Sequence, residues 1–213
     1  MNPEINILSF NEIKKIFEKL SDNYGVESSM LPKNSRLIQR GKEKISIFTG
    51  EISDKDIQKF KELSSIELIG LYIAKIDLLD NNKKEDIRLS IEGTHIFKDD
   101  IIKNIVDLNS QKIIDDWMMG REILYYDIEK AMKENKRDDE SKFVNSVSPR
   151  VGGEGRGRWD NKFATNNNSP NKRPKGFVVI RNSFTGDFLG CGKASADKIT
   201  NFTPKGRRLK EKS

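Results

Sequence analysis

The stretch that decides the fold is GFVVIRNSFTGDFLGCGKA, residues 176–194. Its continuous apolar run from Phe177 to Ile180 predicts a buried β-strand, and Thr185-Gly186 predict a turn. Residues 187–194 then predict a strand that returns beside the first. The two glycines of the GCG segment clear the same face of this strand. That pattern indicates a tight barrel corner and is also compatible with a backbone that lies against nucleic acid.

Positive charge is concentrated downstream of this stretch. The chain carries a formal net charge of +6, but residues 170–213 hold eleven Lys and Arg against three acids, a net charge of +8, which leaves −2 for the first 169 residues. A basic segment favours a polyanionic partner, because cations that neutralise phosphates release condensed counterions. A basic tail that only improves solubility would have the same charge, so the residues around the charges must distinguish the two interpretations.

The composition is that of a chain with one large domain or two small ones. Of its 213 residues, 35 % are hydrophobic and 34 % charged, and a charged share above the usual quarter indicates solvated segments. The longest apolar candidate, residues 66–76, is too short for a membrane span. The N-terminus lacks the basic start of a signal peptide. We therefore expect a soluble, cytoplasmic protein without membrane contact.

The first hundred residues predict a compact α+β unit. Capping-box patterns followed by apolar residues at helical spacing indicate two helices, one from Ser9 to about Leu20 and one that begins at Ser53. Runs of β-branched and alternating apolar residues indicate strands. The predicted strands are 36–39 and 44–48, which form a hairpin, then 66–76 and 86–91.

A second pattern begins after residue 100. It predicts a strand over 104–108, a helix that is capped by Asn109 or Ser110 and ended by Gly120, a short strand over 122–126 and a helical stub to about Met132. Residues 133–175 have few apolar side chains and no period, so we expect a flexible insertion there.

The insertion contains the glycine-rich segment VGGEGRGRW, residues 151–159. No strand precedes it and no helix follows it, so it lacks the context of a nucleotide-binding loop. Arg156, Arg158 and Trp159 favour RNA contact instead, since arginine binds phosphate and tryptophan stacks on bases. A solvated linker is the alternative.

Few residues in the sequence are candidates for catalysis or metal binding. The single cysteine, Cys191, excludes an internal disulfide and a cysteine-cluster zinc site, and its place in a predicted strand is typical of a buried thiol. The single histidine, His95, sits beside Ile96 and Phe97 and is predicted to be packed or hydrogen-bonded. Asp115 and Asp116 are adjacent on a helix and point about 100° apart. We therefore expect no catalytic residue, no metal and no cofactor.

The C-terminal residues resemble a known RNA-binding module. GFVVI, then FTGDFLGCGK, then KITNFTPKGRR at 198–208 are similar to the end of the PUA-like domain in the F group of bacterial ribosomal-RNA cytosine-5 methyltransferases, in the Nop/Sun family. Residues 105–120 resemble the opening strand and helix of a PUA fold. Residues 91–97 resemble the end of the pre-PUA unit found there and in Nip-type ribosome-biogenesis proteins.

The resemblance implies an α+β architecture with a pre-PUA unit at 1–100 and a PUA-like mixed β-barrel at 101–213, interrupted by the insertion at 133–175. It also implies that structured RNA binds the first helix of the barrel domain, the glycine loop after it and the basic final strand. The residues expected there are Gly120, Arg121, Lys193, Lys198, Lys205, Arg207 and Arg208, together with Arg181 from the basic segment.

The catalytic features of this family are missing. Its two catalytic cysteines, in Pro-Cys and Thr-Cys pairs, have no counterpart here, and the methyl-donor domain is absent. We therefore expect a non-catalytic protein that docks structured rRNA or tRNA, free or in a ribosomal precursor, during RNA modification or ribosome maturation. Two alternatives stay open: the RNA-binding subunit of a separately encoded RNA cytosine-5 methyltransferase, or an enzyme that uses His95 or an acidic residue of the first unit.

Overall fold

The protein has a mixed α+β fold with two five-stranded sheets. The computed structural model describes residues 5–63, 69–79, 84–144 and 173–210. The first sheet is an antiparallel meander in which each strand pairs with the next along the chain. Its strands are β1 (Ile5–Ile7), β2 (Ser35–Arg40), β3 (Lys44–Thr49), β4 (Leu71–Leu79) and β5 (Lys84–Leu89). The helices in this part are α1 (Phe10–Tyr24), α2 (Asp54–Leu63) and α3 (Ile91–Ile96).

The second sheet is mixed and its strand order differs from the chain order. Its strands are β6 (Ile105–Leu108), β7 (Ile123–Leu124), β8 (Gly176–Asn182), β9 (Phe188–Ala194) and β10 (Lys198–Asn201). They are arranged as β6-β8-β9-β10-β7, with β6 parallel to β8 and the other pairs antiparallel. The helices α4 (Gln111–Met118) and α5 (Tyr125–Val144) follow β6 and β7. Short 3₁₀ turns span Ser28–Met30 and Lys205–Arg207.

Local sequence signals account for the start and the end of α1. The Glu12 carboxylate accepts hydrogen bonds from the backbone N–H and the hydroxyl of Ser9, at 2.8 and 2.6 Å, which confirms the predicted capping box. The helix continues to Tyr24, past its predicted end near Leu20, and stops where Gly25 adopts a φ of +86°. The predicted hairpin is confirmed as β2 and β3.

The region after β5 differs from the prediction. The strand ends at Leu89, and α3 begins at Ile91, where a strand was expected to end. The Ser90 hydroxyl caps this helix by accepting a hydrogen bond from the Gly93 N–H at 2.9 Å. Upstream, β4 begins at Leu71 instead of residue 66, and residues 64–68 lie outside the described ranges.

The predicted insertion is partly helical. The expected strand over 122–126 shrinks to Ile123–Leu124, and α5 continues beyond Met132 to Val144. The prediction of a structureless segment from residue 133 is therefore wrong for residues 133–144. These residues are rich in Lys, Glu and Arg, which have high helix propensity but give no apolar period to detect. Residues 145–172 lie outside the described ranges.

Alternate residues of β8 enter two different hydrophobic cores. Phe177 and Val179 join the core of the first sheet and α1, whereas Val178 and Ile180 join a second core beneath α4 and α5. Trp117 of α4 is fully buried in this second core. Burial on both faces explains the continuous apolar run at 177–180. No helix in the described ranges combines the length and apolarity needed to cross a bilayer.

Candidate nucleic-acid interface

The chain after β10 turns back onto the C-terminal end of α4. The Leu209 N–H donates to the Met118 carbonyl at 2.9 Å, and the Arg208 Nε donates to the Thr203 carbonyl at 3.0 Å. Gly120, which has a φ of +86°, lies directly under the Arg208 guanidinium. The predicted glycine loop and the predicted basic end of the chain therefore form one surface, although they are more than 80 residues apart in the sequence.

Asn201 fixes this arrangement from below. Its side-chain amide donates to the carbonyls of Trp117 and Arg121, at 2.7 and 3.2 Å, and its Oδ1 accepts from the Thr203 N–H at 2.6 Å. The side chain is buried. Asn201 lies within the motif at 198–208, whose pattern predicts no role for it. No local signal marks its role, because Asn201 ends the largely polar strand Lys198–Asn201 and the carbonyls that it bonds lie 84 and 80 residues away in the sequence.

Several of the predicted RNA-binding cations have carboxylate partners within the chain. The ion pairs are Arg121–Asp116 at 2.6 Å, Lys198–Glu122 at 2.7 Å, Arg181–Asp107 at 2.6 Å, and Arg207–Glu92. In the second pair, bonding to the Lys198 ammonium lowers the pKa of the Glu122 carboxyl, and the same bond raises the pKa of Lys198.

Arg181 belongs to the sheet. Its Nε and Nη2 donate to the two carboxylate oxygens of Asp107 at 2.6 and 2.9 Å, and the two residues are opposite each other on β8 and β6. This bond raises the pKa of the guanidinium. The geometry indicates that this pair links the two strands. Fewer of the guanidinium N–H donors of Arg181 then remain to bind a phosphate.

Lys193 and Lys205 are exposed and have no carboxylate partner in the described part of the chain. The Lys193 Nζ lies 5.9 Å from the centre of the Phe177 ring, and Lys205 begins the 3₁₀ turn that also carries Arg207. Their charges are directly available to a polyanion. The three predicted contacts in the insertion, Arg156, Arg158 and Trp159, lie outside the described residues.

The first sheet also reaches this surface. The Arg88 guanidinium lies over the Phe202 ring, 4.4 Å from its centre, and the Phe177 ring meets Phe202 edge-on at 5.9 Å. Arg88 is oriented by an ion pair with Asp77. The basic C-terminal segment is therefore held by contacts from both sheets.

The glycines of β9 serve packing. A Cβ at Gly192 would lie 2.6 Å from Ile199 and 2.8 Å from Trp117, and one at Gly190 would lie 3.1 Å from Ile91. Both glycines are buried. The space beside them is occupied by the protein's own side chains, which agrees with the structural explanation and leaves no open backbone for RNA.

The residues considered for catalysis differ in their burial and in their bonding partners. Cys191 is buried with its Sγ 3.6 Å from the Tyr24 hydroxyl, and burial raises the pKa of its thiol to about 11. His95 is exposed on α3, so it is not packed into the core, one of the two predicted alternatives. Asp115 accepts from Gln111, whereas Asp116 binds Arg121, so the two carboxylates diverge as predicted. Across the described ranges, no three potential metal ligands come together.

No protein-family model matches this chain, and no curated protein matches it. The geometry of the C-terminal surface is therefore the basis for assigning a function.

Proposed function

We propose that this chain is a non-catalytic RNA-binding protein whose second half is a PUA-like domain. It docks structured rRNA or tRNA during RNA modification or ribosome maturation. Its basic surface consists of the Gly120-Arg121 loop, the cations of β9 and β10, and the turn at residues 205–208.

The observation that carries the proposal is the contact between Gly120 and Arg208. The resemblance implies that RNA meets the first helix of the domain, the glycine loop after it and the basic final strand. In the fold, Arg208 packs over that glycine, and Leu209 bonds to the last turn of the helix. Two separate stretches that were expected to bind RNA together, the helix with its glycine loop and the basic end of the chain, are thus neighbours.

The mechanism is docking without chemistry. Lys193 and Lys205 contact phosphates directly, which fixes the position of the RNA and gives affinity that depends on salt. The Arg208 Nε donates a hydrogen bond to the Thr203 carbonyl, so Arg208 helps to fix the shape of the surface as well as adding charge. A rigid surface of this kind suits structured RNA, which proteins recognise largely through its shape and backbone.

The direct test is RNA binding by the full chain as a function of salt. The variant Lys193→Ala/Lys205→Ala should bind tRNA or rRNA roughly tenfold more weakly near 0.1 M salt, and its salt slope should fall by about 0.7 to 0.9 for each lost contact. The matched control is Lys14→Ala/Lys15→Ala, which removes two exposed charges from α1. Unchanged affinity and slope, or equal losses in the control, would refute the proposal.

Crosslinking in the native cells, followed by sequencing of the attached RNA, identifies the target. Discrete rRNA or tRNA sites that disappear in the Lys193→Ala/Lys205→Ala variant support a docking factor. Co-purification of a cysteine-bearing RNA methyltransferase with those sites would make the chain the RNA-binding subunit of that enzyme.

A further inference from the structure

Two cations of the proposed interface are held by carboxylates of the chain itself. The Arg207 guanidinium donates to Glu92 of α3. The Lys198 ammonium donates to Glu122 at 2.7 Å, and the second oxygen of Glu122 accepts from the Thr200 hydroxyl at 3.3 Å. An oxygen of an RNA phosphate is an anionic acceptor of the same kind and would bind the same donors.

The Lys198–Glu122 pair is open to solvent, and the Arg207–Glu92 pair is open on the side of Arg207. The side chains of Arg207 and Glu92 are 61 % and 23 % exposed, and those of Lys198 and Glu122 are 40 % and 46 % exposed. Exposed ion pairs of this type contribute little to stability and exchange readily. The two ion pairs therefore add little to the stability of the fold, and an incoming phosphate can displace Glu92 and Glu122 from their cations.

The Arg181–Asp107 pair shows what a structural ion pair looks like in the same sheet. It is bidentate and joins two hydrogen-bonded strands, so its geometry sets it apart, although its side chains are 22 % and 42 % exposed. The Glu92 and Glu122 pairs lack the two-pronged geometry. Glu92 in addition comes from the first half of the chain, 115 residues before Arg207.

We propose that Glu92 and Glu122 are internal competitors for RNA phosphates, and that they set the affinity and selectivity of the interface. This inference rests on the proposed function. In the free protein they neutralise Arg207 and Lys198. On docking, a phosphate displaces each carboxylate, which stays nearby and repels the RNA. An RNA whose shape presents several phosphates to the surface at once overcomes this cost, whereas a flexible polyanion that makes isolated contacts does not.

The test compares Glu92→Gln and Glu122→Gln with the unmodified chain in binding to tRNA and to a single-stranded homopolymer. Each substitution keeps the side-chain size and removes the competing charge. We expect affinity to rise about two- to fivefold for each variant, the range set by the strength of an exposed ion pair. The salt slope should steepen, because the freed cation now contributes fully. The gain should be larger for the homopolymer.

The pairing itself is tested in a second background. In an Arg207→Ala chain, Glu92→Gln should give a smaller gain, because the cation it competes for is missing and only the repulsion between Glu92 and the RNA is relieved. Glu18→Gln removes an exposed charge from α1 and should leave binding unchanged. Urea midpoints show whether each variant is folded.

The outcomes separate the two proposals. If the unmodified chain binds RNA but neither Gln variant gains affinity, or if the Glu92→Gln gain is undiminished without Arg207, the internal-competitor proposal is refuted and the proposed function stands. If neither the unmodified chain nor the Gln variants bind RNA at any salt concentration, the proposed function is refuted, and the competitor proposal with it.

Discussion

Arg208 lies so closely against Gly120 that a Cβ atom at position 120 would be 2.2 Å from the Nε of Arg208. The glycine also has a φ of +86°, which L-residues with side chains rarely adopt. The same guanidinium reaches the Thr203 carbonyl. One glycine therefore ends α4 and also makes room for the returning chain, so the basic C-terminal segment has a fixed place on the fold.

Replacing Gly120 should destabilise the protein through two separate effects. Gly120→Ala places a side chain in the left-handed region, which costs about 1–2 kcal/mol, and it displaces Arg208 from its hydrogen bond, which costs about 1 kcal/mol more. Urea unfolding measures the total. In an Arg208→Ala background only the backbone cost should remain.

Gly186→Ala is the matched control for that experiment. Gly186 has a φ of +75° but no atom within 4 Å of a Cβ at that position, so it carries the backbone cost alone. Equal losses for Gly120→Ala and Gly186→Ala would show that Arg208 does not restrict position 120.

Asn201 should be essential for the end of β10. Asn201→Ala leaves the carbonyls of Trp117 and Arg121 without this donor, and each such loss costs about 1–3 kcal/mol when buried. Asn201→Asp should be at least as harmful, because a carboxylate oxygen would face these carbonyl oxygens. Urea unfolding followed by tryptophan fluorescence measures both.

Asn182→Ala provides the comparison, since the side-chain oxygen of Asn182 accepts an exposed hydrogen bond from the Phe184 N–H. We expect a loss below about 1 kcal/mol for it. A loss for Asn201→Ala no greater than this would contradict the bracing role of Asn201.

Strong local signals made much of the fold predictable. The capping box at Ser9, the hairpin at 36–48 and the apolar run at 177–180 each specify an element without help from the rest of the chain. The helix α3 was missed because Gly93 and Thr94 have low helix propensity. Its position depends on tertiary contact: a Cβ at Gly93 would lie 2.0 Å from the Ile73 carbonyl oxygen, so only glycine lets the helix approach β4 this closely.

The basic residues of the candidate site were predictable from the composition, but their carboxylate partners were not. The excess of Lys and Arg after residue 170 is visible in the sequence, whereas the carboxylates that neutralise some of them lie far away in the chain. Glu92 pairs with Arg207 across 115 residues, and Asp107 pairs with Arg181 across 74. No local pattern encodes such contacts. The Glu92–Arg207 pair arises only when the two halves of the chain pack together, and the Asp107–Arg181 pair arises only when β6 pairs with β8.

Gly192 distinguishes the packing role of the β9 glycines from a role in binding. A Cβ there would meet Ile199 at 2.6 Å, Trp117 at 2.8 Å and the Thr200 carbonyl at 3.0 Å. Gly192→Ala should therefore cost about 1–3 kcal/mol of overpacking and shift the emission of Trp117. Gly206→Ala, with no atom within 4 Å of its Cβ, should be close to neutral. Normal stability with weaker RNA binding in Gly192→Ala would contradict the packing role.

Cys191 and Tyr24 should make the protein less stable at alkaline pH. Burial raises the pKa of the Cys191 thiol from 9.0 to about 11, and it raises the pKa of Tyr24 well above 10. As the pH rises from 9, the unfolded chain releases the thiol proton while the folded chain retains it. The free energy of unfolding should therefore fall between pH 9 and 11, by at most about 1.4 kcal/mol per pH unit for this group.

Cys191→Ala isolates the contribution of the thiol from other groups that titrate in this range. The variant loses some stability at pH 8, because a buried side chain is shortened, but its unfolding free energy should decline less steeply from pH 9 to 10.5 than that of the unmodified chain. Tyr24→Phe should flatten the curve only above about pH 10, since the phenol titrates later in the unfolded chain. Parallel curves for the unmodified chain and Cys191→Ala, or rapid labelling of the native thiol at pH 8, would show that Cys191 is accessible to solvent and not held neutral beside Tyr24.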